Sequence, residues 1–123
     1  MEKDLKILIV DGSRVSRSMI RSTLAAHHHA EHVQVAAVSS AGEALHCLAT
    51  HKFDSITCAQ QLTDMYGIDL CRTIRTQPIY RFTPFIVVTA EPHERHMKDG
   101  FRAGVTDYYD KTHGMNEFVP FMR

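Results

Sequence analysis

Three residues in this chain carry the chemistry of anion handling, and each follows a short apolar run. Asp11 follows Leu5-Lys6-Ile7-Leu8-Ile9-Val10, Thr89 closes Phe85-Ile86-Val87-Val88, and Lys111 comes shortly after Val105–Tyr109. A lysine ammonium neutralises an anion, a threonine hydroxyl donates to an oxyanion, and a carboxylate serves as nucleophile or cation ligand. A fourth run of the same type, Phe53–Ala59, ends in the stretch SITCAQQLTDMYG. Its last residue is Ala59, followed by two glutamines, so this end offers neither nucleophile nor metal ligand.

The runs have the composition of strands buried on both faces: short, apolar and rich in β-branched residues. They are Leu5–Val10, Val33–Val38, Phe53–Ala59, Phe85–Thr89 and Val105–Tyr109. Between them the apolar spacing becomes helical. Val15, Met19, Ile20 and Leu24 mark a first helix capped by Ser13. Ser40-Ala41-Gly42-Glu43 has the form of a capping box, with Ala44, Leu45 and Leu48 inward. Leu70, Cys71 and Ile74 mark a third helix after Gly67, with Pro78 just past its end. Met97 and Phe101 mark the core side of a fourth, with Pro92 in its first turn and Gly104 at its stop. A fifth is expected from Met115 to Met122, with Phe118, Val119 and Met122 apolar. Strands alternating with helices predict an α/β, doubly wound parallel sheet covered on both faces. Ligands of such sheets bind beyond the carboxyl ends of the strands, where Asp11, Ser39-Ser40, Ala59, Thr89 and Lys111 fall.

A length of 123 residues suits one domain with its own core. The 14 basic residues match the 14 acidic ones, and zero net charge argues against nucleic-acid binding, which needs excess positive charge. No apolar run approaches the ~20 residues of a membrane span, and MEKDLKILIVDGS lacks the form of a signal peptide. Cys47, Cys58 and Cys71 form no CxxC pattern and sit in apolar stretches. They read as reduced core thiols of a cytoplasmic protein.

Four stretches in order, ILIVDGSRVSRSMI, MYGIDLCRTIR, PFIVVTAE and FRAGVTDYYDK, resemble the receiver domain of two-component response regulators. The resemblance runs from Leu5 to Phe121 and implies a flavodoxin-like five-stranded sheet with strand order 2-1-3-4-5. It also implies a domain that takes phosphate from a histidine kinase. By the family pattern, Asp11 matches the first of two neighbouring acidic residues, and Gly12 stands at the second. Counting back from Gly67 puts Ala59 at the phosphoacceptor position. Thr89 matches the hydroxyl residue that follows the phosphoryl group, Lys111 the lysine, and Tyr108 the aromatic switch residue. Thr112 stands where the family has a cis-bonded proline, so a trans bond is expected there.

The departures fall on the chemistry. Aspartyl phosphorylation needs a carboxylate nucleophile, and Mg²⁺ commonly takes one or two carboxylates with waters and phosphate oxygens. Ala59 and Gly12 supply neither, Cys58 is expected on the opposite side of its strand, and Asp64 lies farther along the loop. The expectation is a pseudo-receiver: no catalytic residue, no metal or cofactor, and a role in protein–protein interaction, with Asp11 and Lys111 paired across the rim. That pair is open between a structural ion pair and a ligand or signalling role. The alternatives are a receiver phosphorylated on another acceptor, and a small-ligand module reusing the rim. The single glycine of DGSR argues against a glycine-rich phosphate loop.

Nine histidines invite a metal reading, through His28 with His32 or His93 with His96. Structural zinc wants four ligands, and histidines at a helix end face the dipole favourably, so HHHAEH reads as a solvated helix end. Arg14, Arg17 and Arg21 share one side of the first helix, either a solvated face or the partner-docking face that the resemblance implies. The resemblance further implies the N-terminal part of a longer signalling protein with an output domain. A candidate dimer face comprises the fourth helix, fifth strand and fifth helix, with Phe101, Tyr109 and Phe118 as contributors.

Overall fold

The apolar runs pair side by side. In the computed structural model, which describes residues 4–27, 32–91 and 93–111, there are five parallel strands. They are β1 (Leu5–Val10), β2 (Val33–Val38), β3 (Ser55–Ala59), β4 (Phe85–Thr89) and β5 (Asp107–Asp110), in the order β2-β1-β3-β4-β5. Helices α1 (Arg14–His27), α2 (Ala41–Thr50), α3 (Gly67–Arg75) and α4 (Glu94–Ala103) connect them, with a 3₁₀ turn at Pro78–Tyr80. The sheet class and the strand order are those the sequence led us to expect. Pro92, the run His28-His29, Thr112 and the expected helix Met115–Met122 lie outside the described residues.

Alternate strand residues feed two cores, as the two-residue period of a strand requires. Leu8, Val10, Ile56, Cys58, Phe85 and Val87 pack with Leu48 of α2 and Leu70 and Ile74 of α3. Ile7, Ile9, Ile86, Val88 and Tyr109 pack with Ile20 and Leu24 of α1. Tyr109 is thus buried, which corrects its assignment to an outer dimer face. Val15 and Met19 are also corrected, at 69% and 49% exposed. A helix advances about 100° per residue, so Val15 lies roughly 140° around α1 from Ile20. Phe101 is 47% exposed because the buried line of α4 runs through Gly100 and Ala103, with Met97 half-buried beside it.

Two strand starts differ from expectation. β3 begins at Ser55 because Asp54 is already committed: its carboxylate accepts the Lys6 N–H at 2.8 Å and its own N–H donates to the Lys6 carbonyl. β5 begins at Asp107 because α4 ends on Gly104 with φ 105°, the left-handed conformation glycine allows. That cap draws the Val105 N–H back to the Gly100 carbonyl. Arg75 holds the same corner, donating to the carbonyls of Gly104 and Tyr80.

Candidate functional site

Strand register puts the sequence-predicted residues on one rim. Val10 pairs with Cys58, so Asp11 stands level with Ala59; Ala59 pairs with Val88; Thr89 pairs with Asp110, which precedes Lys111. Asp11 is only 4% exposed. Its Oδ1 accepts the Ser13 N–H at 2.8 Å, and its carbonyl accepts from Arg17 Nη1 at 2.8 Å. Oδ2 is buried with no hydrogen-bond donor, and Lys111 Nζ stands 3.6 Å away. The same ammonium donates to Ser16 Oγ at 2.8 Å. A carboxylate so buried needs an opposing charge, and Lys111 supplies it. The expected pairing of Asp11 and Lys111 is present, and Ser16 is a third member that sequence reading missed. Its signal was spacing: three residues after the cap Ser13, whose Oγ accepts the Ser16 N–H, it lies on the first turn of α1.

Ala59 ends β3 above a closed loop. The Gly67 N–H donates to the Gln60 carbonyl at 2.8 Å, Leu62 N–H to Met65 carbonyl at 2.9 Å, and Gln61 bridges Tyr66. A Cβ on Gly67 would collide with the Ala59 carbonyl oxygen and meet Cys58 Sγ at 3.2 Å. The backbone after β3 therefore needs glycine there. The nearby nucleophile and carboxylate are engaged elsewhere. Cys58 is buried, and its thiol pKa is pushed up by that burial first, then by the charges of Asp11 and Cys71. Asp64 caps α2, accepting the N–H groups of Ala41 at 3.0 Å and Gly42 at 2.9 Å, and those bonds hold its carboxyl below the ordinary range. Ser40 Oγ accepts the Glu43 N–H as a capping box requires, but Glu43 reaches back to Ser39 N–H and Oγ rather than to Ser40. With Asp64 already on Ala41 and Gly42, the helix end is satisfied from two directions.

Thr89 is 7% exposed, and its Oγ1 accepts the Glu91 N–H at 3.1 Å. Tyr108 is turned inward, 7% exposed, with its hydroxyl donating to the His96 carbonyl at 3.1 Å and its ring meeting Phe101 edge-on. Burial raises its pKa, with smaller contributions from Cys71 and Asp99. Tyr108 lies over Gly100, where any Cβ would strike its hydroxyl. Sequence reading considered His96 only as a metal ligand beside His93 and missed its contact with Gln60, whose Nε2 lies 2.9 Å from His96 Nδ1.

The family model described as response regulator receiver domain matches residues 7–122. The chain belongs to the response-regulator receiver family. The receiver is 30% identical over 107 residues to the chemotaxis protein CheY of Pseudomonas aeruginosa, covering 87% of this chain and 84% of that protein. It is 30% identical over 118 residues to a protein-glutamate methylesterase/protein-glutamine glutaminase of Paramagnetospirillum magneticum, covering 94% of this chain but 32% of that protein. Against the transcriptional regulatory protein ResD of Bacillus subtilis the identity is 29%, and the chain spans 45% of that length. The solved structure of CheY4 from Vibrio cholerae superposes with a TM-score of 0.87 at 25% identity, covering 98% of this chain and 97% of that one.

On this receiver the arginines of α1 divide: Arg17 is bound to the Asp11 carbonyl, whereas Arg14 and Arg21 are exposed. Among the described residues no three metal-ligating side chains cluster. No described helix is long and apolar enough to cross a membrane. Cys47 is half-buried, Cys58 and Cys71 are buried, and all three are free thiols.

Proposed function

We propose that this receiver has left phosphotransfer and works as a phosphorylation-independent interaction and regulatory module in a two-component signalling protein. The observation that carries the reading is Ala59 at the end of β3, directly against Gly67, where the family pattern places the phosphoacceptor aspartate. A methyl group cannot attack phosphorus. The neighbouring candidates do not replace it. The Cys58 thiol is buried and held protonated, Asp64 is spent on the cap of α2, and Asp11 faces Lys111.

The residues present do not fit Mg²⁺. The rim offers the Asp11 carboxylate, and its unbonded oxygen already has an ammonium at 3.6 Å. Gly12 and Ala59 bring no side-chain oxygen. Octahedral oxygen ligation by one carboxylate already paired with a cation is a poor site. On this reading the domain is not an enzyme and uses no cofactor. Asp11, Thr89, Lys111 and Tyr108 are retained pocket residues whose value is structural or interactive. The module is cytoplasmic and acts through an attached output domain or a signalling partner, without binding nucleic acid itself. Phe101, half-exposed beside Tyr108, is the described residue that fits a homodimer face at α4 and β5.

The test is intact-protein mass spectrometry after incubation with acetyl phosphate and Mg²⁺, with a conventional receiver run in parallel. The expected result is a phosphoryl adduct on the control and none on this protein. A stable adduct here would overturn the reading and would direct mapping to another acceptor.

A further inference from the structure

The first residue after Ala59 reaches across the sheet rim to a different helix. Gln60 Nε2 lies 2.9 Å from Nδ1 of His96, on the first turn of α4. The backbone carbonyl of that same His96 accepts the Tyr108 hydroxyl at 3.1 Å. One residue of α4 therefore holds the loop after β3 with its side chain and the inward tyrosine of β5 with its main chain. Gln60 is anchored at its own end, since its carbonyl accepts the Gly67 N–H that closes the loop. Tyr108 is anchored at the other, since it fills the space over Gly100.

The bond has a protonation requirement. An amide N–H can donate to Nδ1 when the imidazole is neutral and carries its proton on Nε2. Protonation puts a hydrogen on Nδ1, and two donors then oppose each other at 2.9 Å. Rotating the amide to offer Oε1 would not repair this without cost. Oε1 now lies buried without a hydrogen bond. The rotation would put the NH₂ group in that place, and orphaned buried N–H groups are rarer than orphaned carbonyls. His96 is exposed, so its ring is open to proton exchange with solvent.

We propose that Gln60 and His96 form a proton-sensitive tie through which the loop at the end of β3 is coupled to Tyr108, closed when His96 is neutral and open when it is protonated. This goes beyond the loss of phosphotransfer and stands whether or not that reading holds. α4 itself carries Glu94, Lys98 and Arg102, and further ionisable groups surround His96. His93 meets its ring edge-on at 5.6 Å, and Arg95 and Asp99 share α4. Glu91 precedes the helix, and Tyr108 approaches from β5 with Cys71 of α3 near its hydroxyl. Of these, His93 is a second imidazole, so the two rings must be resolved separately.

The experiment is an NMR titration of the full chain from pH 8 to pH 5, following the His93 and His96 rings, the Gln60 side-chain amide and the Tyr108 ring. The expected result is one shared midpoint for His96, Gln60 NH₂ and Tyr108. Gln60→Glu offers the imidazolium a carboxylate, and should raise the His96 midpoint by about 0.2–0.7 of a pH unit, as for an exposed ion pair. A Gln60 amide that ignores the His96 titration, or follows His93 instead, would overturn the tie. A Gln60 that follows His96 while Tyr108 stays still would overturn the coupling. The wild-type titration decides the matter even if the variant folds poorly.

Discussion

Lys111 Nζ stands 3.6 Å from Asp11 Oδ2, so the residue after β5 neutralises a charge buried just past β1. The Lys111 side chain is 29% exposed and that of Asp11 6%. Lys111→Met should leave the carboxylate with the Ser13 N–H alone. The expected loss is about 1–3 kcal/mol, below the ~3–5 kcal/mol of a fully enclosed pair. Adding Asp11→Asn should recover part of it. Urea denaturation of both singles and the double, read as a cycle, checks this; strictly additive losses would mean the two charges do not interact.

Gly67→Ala tests whether the loop after β3 depends on close backbone packing. Its methyl would collide with the Ala59 carbonyl and crowd Cys58 Sγ at 3.2 Å. The expected cost is about 1–3 kcal/mol, the range for overpacking a filled site. A chemical-denaturation midpoint equal to that of the parent would refute the steric argument.

Asp64 makes a cap whose strength depends on pH. The Ala41 and Gly42 N–H groups hold its carboxyl below the ordinary range. Because the folded value is the lower one, the cap contributes fully above the unfolded value of about 3.9 and fades as pH falls through the folded value. Asp64→Ala should therefore melt below the parent at pH 7, and the gap should narrow in acid. Melting curves from pH 7 to pH 3 check it, and a constant gap would sink the idea.

Two carboxylates placed at residues 12 and 59 should create an ion site. Gly12 can accept one: a Cβ there meets only the Ser39 carbonyl at 3.8 Å, and its φ is not positive. Gly12→Asp combined with Ala59→Asp should rise in Tm with Mg²⁺, while the parent should not. At a hundred times the Kd the gain is about 2.7 kcal/mol. A parent that responds equally to Mg²⁺ would show that the rim already holds the ion.

The sheet was legible because burial on both faces leaves an unbroken apolar signature, and β1, β2 and β4 match their runs end to end. Ends set by side chains were not. Asp54 shortens β3 through a bond to Lys6, which lies 48 residues away in the chain. Helix faces were partly legible: Ile20 and Leu24 turn inward, but apolar type alone could not tell that Val15 and Met19 turn outward. The rim residues Asp11, Ala59, Thr89 and Lys111 followed from strand ends. Ser16, Asp64, Gln60 and His96 did not, because each matters through a partner distant in sequence, and polar residues in loops carry no periodicity that announces one.

The contact between Gly67 and the Ala59 carbonyl divides the rim into two kinds of position for an evolving lineage. What Gly67 must satisfy is backbone, so its constraint is indifferent to whichever side chain stands at 59. On the proposed reading, the side chains at 59 and 12 can change while the backbone frame around them is kept. Descendants can then abandon the chemistry, or regain it, by changing side chains alone, provided the glycine stays.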